Sequence, residues 1–237
     1  FAEKYHLESG QYTQAELTSL CNELTDQLNT LSDSLGRDSD GLADMGKDLQ
    51  DRARAAMFSL GATYPELSGY YPQPKGLLFP AFLSVQNLSG IYSPFTIEAN
   101  YNSAMVSYNL PFTICHELSH LRGFMQEEEA NFIGFLACVN ADDTAFNYSG
   151  YLLGWIYATN ELYEADYDTF VEIYNRLSDN VKADLSANSS FWKRYDSKVA
   201  EVSGQINDHY LKANGQSDGI KSYDRMVDLM ITWFRSK

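Results

Sequence analysis

The chain has 237 residues, of which 44% are hydrophobic, enough for a sizeable core in one large domain or two small ones. Its formal net charge is −15, with 32 Asp and Glu against 17 Lys and Arg. This balance argues against nucleic-acid binding, which needs clustered basic side chains. No apolar run approaches the roughly 20 residues that a membrane-spanning helix needs.

Two helices are predicted near the start of the chain. Leucine recurs at steps of three and four residues over residues 13–35, which is typical of an amphipathic helix. Thr13 and Glu16 form a capping box at its start, and Gly36 is a natural stop. A second helix is predicted over residues 44–60.

The next part of the chain is rich in proline. Five of the six prolines lie between residues 64 and 109. Residues 90–98 are β-branched and aromatic but include Pro94, which cannot donate a ladder hydrogen bond. They therefore predict an edge strand or a short hairpin arm.

From residue 110 onward the pattern is helical almost to the end. Pro111 suits a first helical turn, and Asp143 suits an N-cap. The helices are predicted over residues 111–122, 127–140, 144–162, 167–177, 190–212 and 221–234. We expect a mainly α (α+β) fold in one domain over residues 1–237, with an N-terminal helical part (1–62), a Pro-rich segment with the edge strand (63–109) and a helical catalytic part (110–237).

The motif HExxH stands at residues 116–120, with His116, Glu117 and His120 at its fixed positions. Residues four apart share one face of a helix, so both imidazoles can reach a single zinc ion. Glu117 can then take a proton from water whose pKa the zinc lowers towards ~7. The alternative is a helix with two histidines as hydrogen-bonded core groups.

A catalytic zinc site has three protein ligands, so one more has to be found. In the arrangement HExxHxxGxxH the last histidine is that ligand, but this position is Gln126, which excludes the histidine version. Gly123 is in place and lets the chain leave the helix through a left-handed residue and turn back over the metal.

Three acidic residues follow this turn: Glu127, Glu128 and Glu129. Helical phase puts Glu127 on a face with Ala130, Asn131 and Gly134, which are small or polar. The other two share faces with large apolar residues. The small face allows a close approach to the HExxH helix, so Glu127 is the predicted third ligand, with Asn131 hydrogen-bonded to a ligand histidine. For at least one of the three, the alternative is an acidic first helical turn favoured by the helix dipole.

HExxH followed by Glu-x-x-Ala-Asn resembles the gluzincin class of zinc peptidases, in which the first Glu of this second motif is the third ligand. Several stretches are similar to the bacterial family of domain of unknown function 3810 (DUF3810): GIYSPFTIEAN (90–100), HELSHLRGF (116–124), EANFIGF (129–135), YSGY (148–151) and SYDRMVDL (222–229). The resemblance implies a zincin-like domain with one zinc ion per chain. It also implies membrane helices ahead of this chain, with the catalytic domain outside the cytoplasm.

Further parts of a peptidase site can be sought. The predicted edge strand is a candidate for lining the cleft and pairing with a substrate backbone, with Ile97 and Glu98 as substrate-binding residues, although an ordinary edge strand fits equally well. Glu98 could instead pair with Arg122. A donor to the oxyanion is also expected. Tyr148 and Tyr223 are the candidates, with Tyr151 and His209 as alternatives.

These patterns predict a zinc-dependent metallopeptidase that hydrolyses peptide or protein substrates. His116, His120 and Glu127 would hold the metal, and Glu117 would be the general base. One alternative is a domain that binds a peptide or protein partner without turnover, which the presence of Glu117 disfavours. The other is a zinc hydrolase of a non-peptide amide.

Overall fold

The structure is a computed structural model that describes residues 1–2, 4–5, 12–196 and 225–236. Helices dominate it, and one small sheet accompanies them, so the fold is mainly α as predicted. The helices are α1 (Gln14–Ser34), α2 (Leu49–Thr63), α3 (Ala81–Val85), α4 (Asn109–His120), α5 (Glu127–Val139), α6 (Thr144–Ala165), α7 (Tyr167–Arg176), α8 (Asp179–Lys193) and α9 (Arg225–Arg235).

The sheet has three strands, β1 (Lys75–Gly76), β2 (Gly90–Ser93) and β3 (Glu98–Tyr101), in the order β1-β3-β2. Strand β2 is antiparallel to β3, with Gly90 opposite Tyr101, and β1 is parallel to β3. Pro94 lies in the turn that joins β2 to β3. The strand order places β2 at the edge of the sheet, where a neighbouring proline is tolerated.

Helix α1 forms as the leucine pattern predicts. The side chain of Thr13 accepts a hydrogen bond from the backbone of Glu16, and Glu16 bonds back to Thr13, which is the predicted capping box. Four leucines of the stripe are buried: Leu17, Leu20, Leu24 and Leu28. Helix α1 packs mainly against α6, which in turn packs against α4, the helix that carries the HExxH motif.

Helices α4, α5 and α6 pack on one another at the centre of the hydrophobic core. Ser149 on α6 ties two of them together, because its hydroxyl accepts from the backbone of Phe112 and donates to the carbonyl of Tyr108. Asp143 caps α6 as predicted by accepting from the backbone of Ala145 and Phe146. It also accepts two hydrogen bonds from Arg52 on α2.

Two predicted helices have wrong bounds. Helix α2 starts at residue 49 and not 44, because Asp44 caps a local turn and Asp48 has a left-handed backbone. The helix predicted over residues 190–212 has the wrong start, because residues 190–193 are the last turn of α8, which begins at residue 179. Residues 197–212 lie outside the described part. Helix α8 was missed because a buried position carries Asp184, which interrupts the apolar stripe. Of the helix predicted over residues 221–234, the described part is α9.

Within the described ranges, none of the helices combines the length and the apolar character that crossing a bilayer would require.

Replacing Asp143 by alanine should destabilise the protein, because α6 loses its N-cap and Arg52 loses its partner. The cap alone is worth about 1 kcal/mol of unfolding free energy. Burial opposes ionisation of Asp143, but the hydrogen bonds from Arg52 and the backbone outweigh it and lower the pKa below the ordinary value of 3.8. This stability is therefore present above pH 3.8 and is lost as the pH falls through the lowered pKa.

Urea unfolding of both proteins at neutral and acidic pH measures this effect. The difference between wild type and Asp143→Ala should shrink in acid. Asp142→Ala is the matched control, since this neighbour is exposed, and it should change little at either pH. An equal loss in both variants would contradict the capping role.

Candidate metal centre

Helix α4 brings the two motif histidines to one point. Pro111 lies in its first turn, where the missing N–H is not needed. His116 and His120 are one turn apart on the same face. Their ring centres are 4.7 Å apart, and their Nε2 atoms are 3.1 Å apart. Two imidazole nitrogens this close need either a shared proton or a cation between them.

The turn after α4 fixes the tautomer of His120. Gly123 has a φ of +90°, the left-handed conformation expected at this position. The chain then folds back, so that the carbonyl oxygen of Phe124 lies 2.7 Å from Nδ1 of His120. A carbonyl can only accept, so Nδ1 carries the hydrogen and a neutral His120 keeps a lone pair on Nε2. This is the tautomer that a metal ligand requires at Nε2.

Glu127 is the acidic residue that the structure brings to the histidines. Its Oε2 lies 3.2 Å from Nε2 of His116, and its Oε1 lies 3.8 Å from Nε2 of His120. The ligand atoms of the three residues all lie within 4.8 Å of one another. Two imidazoles and one carboxylate form a donor set that fits zinc. Without a metal, the same contacts form an ion pair between His116 and Glu127.

The other two acidic residues of the run face elsewhere. Glu128 is buried, with Oε1 3.8 Å from a guanidinium nitrogen of Arg225. Glu129 accepts a hydrogen bond from the backbone of Ala2 at 2.9 Å. The helical phase of α5 therefore separates the three carboxylates as the sequence predicted.

The small face of α5 lets it approach α4 closely. A Cβ on Gly134 would lie 3.3 Å from both the backbone nitrogen of His116 and the carbonyl oxygen of Phe112. Asn131, on the same face, is buried, and its proximity contributes to the raised pKa of His116. Nδ1 of His116 and Nδ2 of Asn131 have no hydrogen-bond partner among the described residues, so the hydrogen bond between these two side chains stays a prediction.

Burial controls the charges at the cluster. Burial and the nearby His116 lower the pKa of His120 to about 4, so His120 is neutral at neutral pH. Burial also disfavours charge on His116, but its hydrogen bond to Glu127 and the charge of that group outweigh this effect and raise its pKa. Burial raises the pKa of Glu117 to about 8. A divalent cation at this point would favour the carboxylate form of Glu117 and the neutral forms of both histidines.

The edge strand β2 lies directly against α4. A Cβ on Gly90 would be 2.3 Å from Oε1 of Glu117, so only glycine fits there without moving that carboxyl group. Two residues further on, and hence on the same face of the strand, Tyr92 has its ring centre 5.9 Å from that of His120. Strand β2 thus runs past both the carboxylate and one of the histidines.

The remaining predicted site residues that the structure describes lie away from the cluster. Tyr148 is fully buried and its hydroxyl donates to Asp184 at 2.5 Å, so the prediction that it is a catalytic donor has no geometric support. Glu98 pairs with Lys75 and not with Arg122. Ile97 is exposed in the turn between β2 and β3.

Of the other candidate donors, Tyr223 and His209 lie outside the described residues, so their place relative to the cluster stays a prediction. Tyr151 packs edge-on against Phe135, with their ring centres 6.2 Å apart. Within the described part of the chain, the structure places Tyr92 beside the cluster, a residue that the sequence did not single out. Tyr92 stands two residues after Gly90 in the predicted strand, so the two residues share one face of that strand. The sequence does not indicate which face of the strand packs against α4.

A family model described as "Protein of unknown function (DUF3810)" matches residues 1–231. The chain belongs to this family. The match covers nearly the whole chain, including the sheet and the HExxH helix of this DUF3810 member. No curated protein and no solved structure matches it.

Gly90→Ala should destabilise the protein by about 1–3 kcal/mol, the usual cost of overpacking, because the new Cβ collides with Glu117. In a Glu117→Ala background the carboxyl group is gone, so the same change should cost much less. Urea unfolding of the four proteins gives the coupling free energy directly.

Gly36→Ala is the control for this cycle, because a Cβ there has nothing within 4 Å. It should cost little in both backgrounds. If Gly90→Ala costs the same with and without the carboxyl group of Glu117, strand β2 does not pack on Glu117 as described.

Proposed function

We propose that this DUF3810 chain is a zinc-dependent metallopeptidase of the gluzincin type, with a zincin-like arrangement of its site helices. The observation that carries the proposal is the cluster of His116, His120 and Glu127, with Glu117 buried beside it. Three such protein ligands leave one coordination position open, as catalytic zinc sites do. One zinc ion per chain would be held there.

The residues of the cluster have separate roles in this proposal. A bound zinc ion would act as a Lewis acid that activates water and polarises the scissile carbonyl group. Glu117 would accept the proton that the attacking water loses and then pass it to the leaving amine. Its Oε2 is buried and has no hydrogen-bond partner within the described residues, so it is available for that exchange. The carbonyl of Phe124 and the amide of Asn131 would keep the two imidazoles oriented.

Two features of strand β2 support a peptide as the substrate. Among the strands of the described residues, none pairs with its outer edge, so its backbone can pair with an extended peptide. Its inner face meets Glu117 and His120 through Gly90 and Tyr92. A peptide on this edge would therefore pass close to the general base. Tyr92 replaces Tyr148 as the candidate donor to the oxyanion.

Membrane anchoring ahead of this chain, with the catalytic domain outside the cytoplasm, is implied by the family resemblance and stays a prediction. Fractionation of cells that make the full-length protein would test the anchoring. Recovery in the soluble fraction would contradict it.

Glu127→Ala should weaken zinc binding at least about 100-fold, because even outer partners of metal ligands contribute about 10–100-fold. Competition with a chromophoric zinc chelator measures the dissociation constant. Glu129→Ala is the matched control and should bind zinc like the wild type. Loss of zinc from the Glu129 variant with retention in the Glu127 variant would reverse the assignment.

Glu117→Gln should keep the zinc and lower kcat about 10²–10⁴-fold, because the general base is lost. Tyr92→Phe should lower kcat with little change in KM, whereas Tyr167→Phe, an exposed tyrosine on α7, should not. Cleavage of a peptide library, followed by mass spectrometry, supplies the substrates for these measurements.

The same experiments separate the alternatives. An unchanged rate in Glu117→Gln would remove Glu117 from the mechanism. Peptide binding without turnover by the zinc-loaded wild type would indicate a binding domain. Hydrolysis of non-peptide amides alone would indicate the other kind of zinc hydrolase.

A further inference from the structure

A long uncharged segment adjoins the cluster. Residues 76–97 contain no Asp, Glu, Lys or Arg, in a chain in which 21% of residues are charged. They run from the end of β1 through α3 and β2 to the turn before β3. Lys75 and Glu98 border the segment and pair with each other. Depletion of charge with enrichment of aromatic residues is typical of the centre of an interface.

Much of this segment is apolar and exposed to solvent. Among the residues that the structure describes, seven of the twelve exposed large hydrophobic side chains belong to it. Leu78 is 91% exposed, Phe79 79% and Phe95 97%. Single exposed apolar side chains are common, but such a concentration marks an interaction surface. We call this surface the apolar rim and define it by Leu78, Phe79, Phe82, Ile91 and Phe95.

The apolar rim extends beyond both ends of strand β2. At one end, α3 leads into β2 and is tied to the residue after β3, because the side chain of Asn102 donates to Ser84 on α3. The backbone of Phe82 on α3 donates to Phe79, so these two exposed phenylalanines lie at this end. At the other end, Phe95 lies in the turn that follows Ser93. Between these ends, β2 passes Glu117 and His120. A chain lying along β2 would therefore meet exposed apolar side chains on either side of the cluster.

Charge favours a polypeptide over a lipid surface as the occupant of the rim. Segments that dock on anionic membranes usually carry Lys and Arg, and the rim has neither. The net charge of −15 would also repel such a membrane. An extended peptide, in contrast, can pair its backbone with β2 and place alternate side chains against the rim.

We infer that the apolar rim is the substrate-recognition surface of the proposed peptidase and selects extended peptide segments with large apolar side chains on both sides of the scissile bond. This inference rests on the proposed function. It predicts that two exposed phenylalanines far from each other in sequence, Phe79 and Phe95, both contribute to affinity. Each is exposed enough to be replaced without disturbing the core.

The test measures binding to zinc-loaded Glu117→Gln protein, so that turnover does not interfere. The probes are two fluorescein-labelled peptides of equal length, one with alternating Leu and Phe and one with Ser and Thr at the same positions. Fluorescence anisotropy should show tight binding of the Leu/Phe peptide alone. Adding Phe79→Ser or Phe95→Ser should weaken it about tenfold, equivalent to about 1.4 kcal/mol.

Phe58→Ser is the matched control, because Phe58 on α2 is 71% exposed and lies outside the rim. It should leave the affinity unchanged. Equal binding of both peptides, or equal affinity of the Phe79 and Phe95 variants and the control, would overturn the inference. The inference would also be overturned if the protein bound no peptide but sedimented with phosphatidylcholine vesicles, and if the two rim variants abolished that sedimentation. The rim would then bind lipid.

A cleavage assay separates this inference from the proposed function. If the zinc-loaded wild type cleaves a peptide library without preference for large apolar residues, the rim inference fails and the peptidase stands. If the Leu/Phe peptide binds through the rim but no peptide is cleaved, the peptidase fails and the binding surface stands.

Discussion

The close packing of α5 on α4 is the constraint on which the candidate site depends. Gly134 permits it, since a Cβ there would press on the backbone of His116. Because the two helices are this close, Glu127 at the start of α5 reaches both histidines at the end of α4. The turn through Gly123 completes the site, because it places the carbonyl oxygen of Phe124 within hydrogen-bond distance of Nδ1 of His120.

This packing has an electrostatic consequence. Two imidazoles and two carboxyl groups are gathered in a small, largely buried space, and Glu117 is only 4% exposed. Each charged group that is removed from water costs several kcal/mol of hydration free energy unless it is paired with an opposite charge. A divalent cation would offset the negative charge of Glu117 and Glu127 at the place where it is most costly. The rest of the net charge of −15 lies on other parts of the chain and serves solubility.

The sequence predicted the parts of the molecule that local rules decide. The leucine stripe and capping box gave α1, Asp143 gave the start of α6, and helical phase separated Glu127 from its two neighbours. Contacts between segments that are distant in the sequence could not be predicted from these local rules. The sequence predicted Tyr148 as a catalytic group, but its hydroxyl donates a hydrogen bond to the buried Asp184. Tyr92 was overlooked because its place beside His120 depends on how the sheet packs on α4.

X-ray absorption at the zinc edge of the zinc-loaded wild-type protein tests the central claim most directly. Ligation by His116, His120 and Glu127 predicts one zinc per chain with nitrogen and oxygen ligands only, at about 2.0–2.2 Å. A zinc–sulfur distance of about 2.3 Å would instead point to Cys115, the buried thiol next to His116 in sequence. That result, or a well-folded protein that binds no zinc, would contradict the proposed metal centre.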